Sequence, residues 1–211
     1  MQRRLHIILF FLFLSTYTYG QDINYGVWTQ AGVSFDIAKD LKASVSEMYR
    51  QDLQTPIRRA YITELGLKYD LSKKWSVAGE YRLKLLPSEY RNRIALSANF
   101  REGMGIFDLY VRSKLQYELR QYGSPESAWR NRFKMRFDYF KDVKPYVSYE
   151  LFINKNNEEI NLTTYRGSVG VDWELNKHNA FDIYIITDQE IYEASPTLDL
   201  IFGVSYEYKF K

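Results

Sequence analysis

The stretch FDLYVRSKLQYELR, Phe107–Arg120, alternates along its whole length. Phe107, Leu109, Val111, Ser113, Leu115, Tyr117 and Leu119 share one parity; Asp108, Tyr110, Arg112, Lys114, Gln116, Glu118 and Arg120 share the other. Successive side chains of an extended chain point to opposite faces, so period two reads as a strand. The run goes well beyond the usual strand of about five to six residues, and charges of both signs crowd one face. A soluble barrel points its apolar face inward and its charges to solvent. A barrel in a membrane inverts this. One strand cannot choose between the two, so its neighbours must.

The pattern recurs over almost the whole chain after residue 24. Segments 24–36, 60–70, 75–85, 93–101, 129–140, 145–154, 162–175, 180–190 and 197–210 alternate in the same way. In WRNRFKMRFDYF (129–140), for instance, Phe133, Met135, Phe137 and Tyr139 oppose Arg132, Lys134, Arg136 and Asp138. LKASVSEMYRQD (41–52) is less regular. No helical period of any length is present, and the fold class is all-β.

The connections differ in length and chemistry. IAKD, LSKK, EGMG, KDVK and NKHN are tight; LQTPI, PSEY, YGSPESA, NKNNEE and YEASP are longer and polar. Short turns on one rim and longer loops on the other are the pattern of outer-membrane barrels. Aromatics make up 17% of the chain and gather beside the tight turns, as at Phe35, Tyr69, Trp75, Phe100, Trp173 and Phe210. Aromatic residues favour strands in general. Their clustering at one set of strand ends fits better a girdle at a membrane interface, where a ring is half apolar and half wet.

The first residues, MQRRLHIILFFLFLSTYTYG, carry Arg3 and Arg4 ahead of a run from Leu5 to Leu14 that is apolar apart from His6. This reads as an export signal over residues 1–20, cleaved after Gly20. The run is too short for a membrane-spanning helix, which needs about 20 residues. Its loss removes two positive charges and leaves residues 21–211 near neutral, so no nucleic-acid partner is expected. With 211 residues, the chain suits one domain. It has no cysteine, which excludes a disulfide framework, a thiolate nucleophile and a cysteine-based metal site. Mean hydropathy is −0.43, so a membrane could be crossed only by a closed barrel.

The expected architecture is therefore an antiparallel up-and-down transmembrane β-barrel of about 10–12 strands over residues 21–211. About eleven segments alternate, whereas single-chain bacterial barrels use even numbers; ten or twelve strands are expected. The turn pattern also places the start of the first segment on the long-loop rim, where a periplasmic N-terminus would not lie. The terminal YEYKF resembles the aromatic-ending last strand read by outer-membrane assembly machinery, although Lys211 follows Phe210. Outer-membrane lipids and that machinery are the expected partners, and the outer membrane the expected location.

PYVSYELF (145–152), YRGSVGVDWELNK (165–177) and WRNRFKMRFDYF (129–140) resemble segments of domain-of-unknown-function family 2490, proteins of about this length in Gram-negative bacteria. The resemblance covers most of residues 21–211. It implies a β-barrel in the outer membrane. It implies no activity, ligand or catalytic residue.

Little in the chain is suited to catalysis. After the signal, one histidine is left, His178 in the turn NKHN. Barrel enzymes use a histidine near the outer rim or lipid face as general base. His178 is expected on the opposite rim, with no Ser, Asp or Glu beside it, as a solvated turn residue. Glu126 and the pair Glu158–Glu159 fall in loops and read as solvated carboxylates. No cofactor, no metal cage and no enzymatic activity are expected. A barrel enzyme acting on lipid or a surface substrate, and a soluble periplasmic ligand-binding barrel, are the alternatives.

The candidate functional surface is the lumen. With the non-apolar face inward, Arg93, Arg101, Arg112, Lys114, Arg120, Arg132, Lys134 and Arg136 form a basic wall. Glu150, Asp172, Glu174, Asp182, Asp188, Asp199 and Glu207 form an acidic one. In a narrow barrel these charges would pair across the interior and fill it. In a wet one they would set up a transverse field selecting small charged solutes. Strand number does not decide; the filled or narrow lumen is the preferred reading.

Overall fold

The computed structural model describes residues 22–156, 159–191 and 197–210. The signal read over residues 1–20, the loop YEASP, Glu158 and Lys211 lie outside the described residues. Eleven strands follow one another: β1 (Ile23–Ala38), β2 (Leu41–Asp52), β3 (Arg59–Asp70), β4 (Trp75–Leu85), β5 (Tyr90–Met104), β6 (Phe107–Arg120), β7 (Glu126–Phe137), β8 (Val143–Asn156), β9 (Glu159–Glu174), β10 (Asn179–Glu190) and β11 (Leu198–Phe210). Each pairs antiparallel with the next, and β1 pairs with β11 to close the barrel. The opening stretch is β6 from end to end.

The strand number corrects the expectation of ten or twelve. In an up-and-down ring of eleven, the first and last strands run the same way. Closure is therefore parallel, in register from Ile23↔Leu198 to Phe35↔Phe210. Parallel bonds are evenly spaced but slanted, and slightly weaker per residue than antiparallel ones. The first segment is thus a barrel strand that starts on the same rim as β11, opposite the C-terminal end.

Two turn readings also change. NKNNEE is mostly strand, since β8 and β9 stay paired out to Asn156↔Glu159. Residues 138–142 form a turn, so Tyr139 and Phe140 lie beyond β7 and pack edge to face at 5.2 Å. The difference between the two rims is smaller than the sequence implies.

Burial separates the two faces. Ile94 and Leu96 are 59% and 71% exposed, whereas Lys114 and Glu150 on the other face are 3% and 4% exposed. The apolar parity points out and the charged parity points in. This holds around the ring, with Leu65, Val77, Leu115, Phe133, Val169, Ile183 and Phe202 all exposed. β2 looked irregular because it breaks the rule: Glu47 lies on the outward parity, across from Ala31 and Thr63.

At the short-turn rim the outward aromatics touch from strand to strand. Phe35–Phe210 stack at 4.9 Å, Trp75–Phe100 and Phe107–Phe137 meet at 4.9 and 5.1 Å, and Phe181 contacts both Trp173 and Tyr206. Inside, two glycines make room for rings. A Cβ on Gly203 would lie 1.9 Å from the Tyr184 ring, and one on Gly170 would lie 2.7 Å from Tyr146.

Candidate functional site

The strand register places all fifteen charged residues of the two expected walls on the inward parity. Their contacts differ from the expectation in one respect. Most pairs do not cross the barrel; they run along the wall between strands one or two apart. Strand spacing is about 4.8 Å, so a Lys or Arg side chain reaches its next or second neighbour sooner than the far wall.

Glu150 on β8 accepts from Arg130 at 2.8 Å on β7 and from Arg112 at 3.2 Å on β6. Lys114 on β6 pairs with Glu80 on β4. Lys134 reaches Asp172 at 2.8 Å, again two strands away, with its Nζ 3.6 Å from the Tyr146 ring centre. Arg136 donates to Asp108 at 2.6 Å, and Arg101 reaches the same carboxylate at 3.3 Å. Arg120 pairs with Glu126. Arg93 comes to 4.0 Å of Glu64. Of the eight residues of the expected basic wall, Arg132 alone has no carboxylate within ion-pair distance among the described residues; its Nη2 donates to the Ser148 hydroxyl at 3.3 Å.

On the acidic side, Asp182 accepts from the Tyr146 hydroxyl at 2.9 Å, Asp188 pairs with Arg166, and Asp199 accepts from Asn24 at 3.1 Å. Glu174 and Glu207 are exposed at the short-turn rim.

Several lumen residues were missed in the sequence. Arg130 shares the parity of Arg132 and Lys134 and is buried. Arg82 donates from Nε to Glu64 at 2.7 Å. Arg50 lies 3.8 Å over the Trp28 ring, and Arg166 approaches the same ring at 5.3 Å. Alternation carried a signal for Arg82, Arg130 and Arg166. Arg50 was hidden by the irregular β2. Glu126 proves to be the first residue of β7, paired with Arg120, and so corrects its reading as a solvated loop carboxylate.

These contacts crowd the barrel at mid-height. Ile62, Ile186 and Ile201 are buried inside beside Arg93, Lys114, Arg130 and Glu150. Burying so many charges is tolerable because most of them are paired and hydrogen-bonded; Arg93 is the weakest held, its Nη2 4.0 Å from Glu64 and without a hydrogen bond among the described residues. Separate cavities lie at either end. One of about 730 Å³ opens at the long-loop rim, lined by Trp28, Arg50, Lys84, Arg91 and Asp188. The short-turn end holds two that meet at Arg136 and Asp172. One, of about 450 Å³, is largely acidic, with Glu64, Glu174, Asp182 and Glu207; the other, of about 350 Å³, is largely basic. The long-loop cavity shares no lining residue with either of them.

His178 sits in the short-turn rim as expected, with Nδ1 2.8 Å from the Lys209 carbonyl and its ring stacked on Tyr208. Among the described residues, no group of three or more His, Asp or Glu could hold a metal ion.

The model of a family described as protein of unknown function (DUF2490) matches residues 25–199. No curated protein matches the chain.

Proposed function

We propose, for a chain that belongs to the DUF2490 family, that it is an outer-membrane barrel, closed at its waist and without catalytic activity of its own. One observation carries this reading: the apolar face is outside and exposed, and the charged face is inside and buried. In water, that arrangement would expose a continuous apolar belt far larger than the few hundred Å² usual on a soluble protein. In a bilayer it is the stable one, since hydrocarbon meets apolar side chains and the closed ring leaves no strand edge unpaired. The aromatic contacts at the short-turn rim fit an interface girdle. A soluble ligand-binding barrel would need the opposite orientation of the faces.

The histidine geometry supports the non-enzymatic reading. His178 is held by a backbone carbonyl and a tyrosine ring, on the rim away from the longer loops. No nucleophile or carboxylate bonds to it among the described residues. The filled waist supports a barrier at rest over an open pore.

Tryptophan fluorescence tests the placement. Trp75, Trp129 and Trp173 are on the outward parity, and Trp28 faces the lumen. In single-tryptophan variants folded into vesicles with brominated acyl chains, the three outer residues are quenched and Trp28 is not. Equal quenching of all four, or of none, contradicts the assignment of faces.

A further inference from the structure

The basic cavity at the short-turn end has more cations than its surroundings neutralise. Lys68, Lys74, Arg101, Arg112, Arg132, Lys134 and Arg136 line it, and among the described residues Asp172 is the one carboxylate in its lining. Some of these cations have partners: Lys68 pairs with Asp70, Lys74 with Glu102, Arg101 and Arg136 share Asp108 outside the lining, and Lys134 takes Asp172.

The excess centres on Glu150. Arg112 and Arg132 are directly opposed across β6 and β7, a like-charge arrangement that destabilises a sheet. Arg132 is also directly across from Glu150 on β8. That carboxylate is already engaged by Arg112 and Arg130, so Arg132 is left with a hydroxyl. A cavity of about 350 Å³ beside this guanidinium adds the hydroxyl of Tyr110 and the polar side chains of Ser76 and Asn99 to its walls.

We propose that this cavity is a binding site for a small oxyanion, of the phosphoryl or carboxylate kind, with Arg132 as its principal donor and Arg112 and Arg101 as flanking charges. A planar guanidinium with free N–H groups matches two oxygens of such a group. The acidic cavity next to it, with Glu174, Asp182 and Glu207, repels an anion and confines it to the β5–β7 side. The bound anion would offset the Arg112–Arg132 opposition that this register imposes. The inference goes beyond the membrane reading, because it concerns the inside of the barrel and can be tested in detergent.

The test is titration calorimetry of the folded barrel in detergent with inorganic phosphate, against sodium chloride at equal ionic strength. Saturable binding of phosphate beyond chloride is expected. Arg132→Gln should weaken it by about tenfold, the loss of one charge-assisted hydrogen bond. Arg91→Gln, in the long-loop cavity, should leave it unchanged. If Arg132→Gln does not fold, judged by heat-modifiable gel mobility, Arg101→Gln at the exposed mouth replaces it, with weaker binding again expected. A soluble short-chain phosphatidic acid forms the second arm. Binding no tighter than phosphate marks a free solute as the ligand; much tighter binding, equally sensitive to Arg132, marks a lipid headgroup. No phosphate binding beyond chloride, or unchanged affinity in the folded cavity variant, overturns the site. Either failure leaves the tryptophan result untouched, so the two readings fall separately.

Discussion

Glu47 is an exposed carboxylate on the outward face of β2, with no hydrogen bond or ion pair among the described residues. Its outward neighbours across the strands are Ala31 and Thr63, and along β1 it lies between Tyr25 and Phe35, towards the middle of the apolar belt. A carboxylate facing hydrocarbon is costly, less so than Lys or Arg at the same depth. Glu47→Leu should therefore stabilise the barrel in lipid vesicles by about 1–2 kcal/mol in urea unfolding. No change, or a loss, would mean that this face does not meet lipid. The same residue explains why β2 was hard to read: one charge on the apolar parity breaks the alternation that marked its neighbours. Arg50 went unrecognised as a lumen residue for that reason.

At the scale of the strands, alternation was legible almost throughout, because each strand has one face of each kind and a one-residue slip would exchange them. The ends were less legible. NKNNEE has loop composition, yet backbone pairing continues into it from both sides, out to Asn156↔Glu159, and sequence alone does not weigh ladder bonds against polar side chains. The parallel β1–β11 seam was not legible at all, since closure depends on the count of strands and not on any one of them. Near the seam, packing is tight inside as well. The Tyr184 ring of β10 lies against Gly203 of β11, to which it is directly paired. Gly203→Ala should cost about 1–3 kcal/mol by overpacking. Gly79→Ala, whose Cβ would meet only the Leu96 side chain at 3.7 Å, should be nearly silent. Equal effects of the two in urea unfolding would show that the Tyr184 ring is not fixed there.

For the whole molecule, the sequence placed the charges on the inward parity, and left open whether the lumen is filled or wet. The outcome depends on side-chain reach, which periodicity does not encode. Glu150 gathers Arg112 and Arg130, Lys134 reaches over β8 to Asp172, and isoleucines from β3, β10 and β11 are buried at the same waist. The vestibule at the long-loop end shares no lining residue with those at the other end. The central claim is an inside-out barrel that sits in a bilayer and is sealed by these pairs, and single-channel recording tests it most directly. Residues 21–211 would be folded into planar bilayers, with insertion confirmed by heat-modifiable mobility. The wild-type barrel should insert and stay silent, while Glu150→Ala, which releases two arginines at the waist, should give discrete anion-selective steps. Steady conductance steps from the wild-type protein would contradict the seal, and failure of the folded protein to insert would contradict the barrel's place in the membrane.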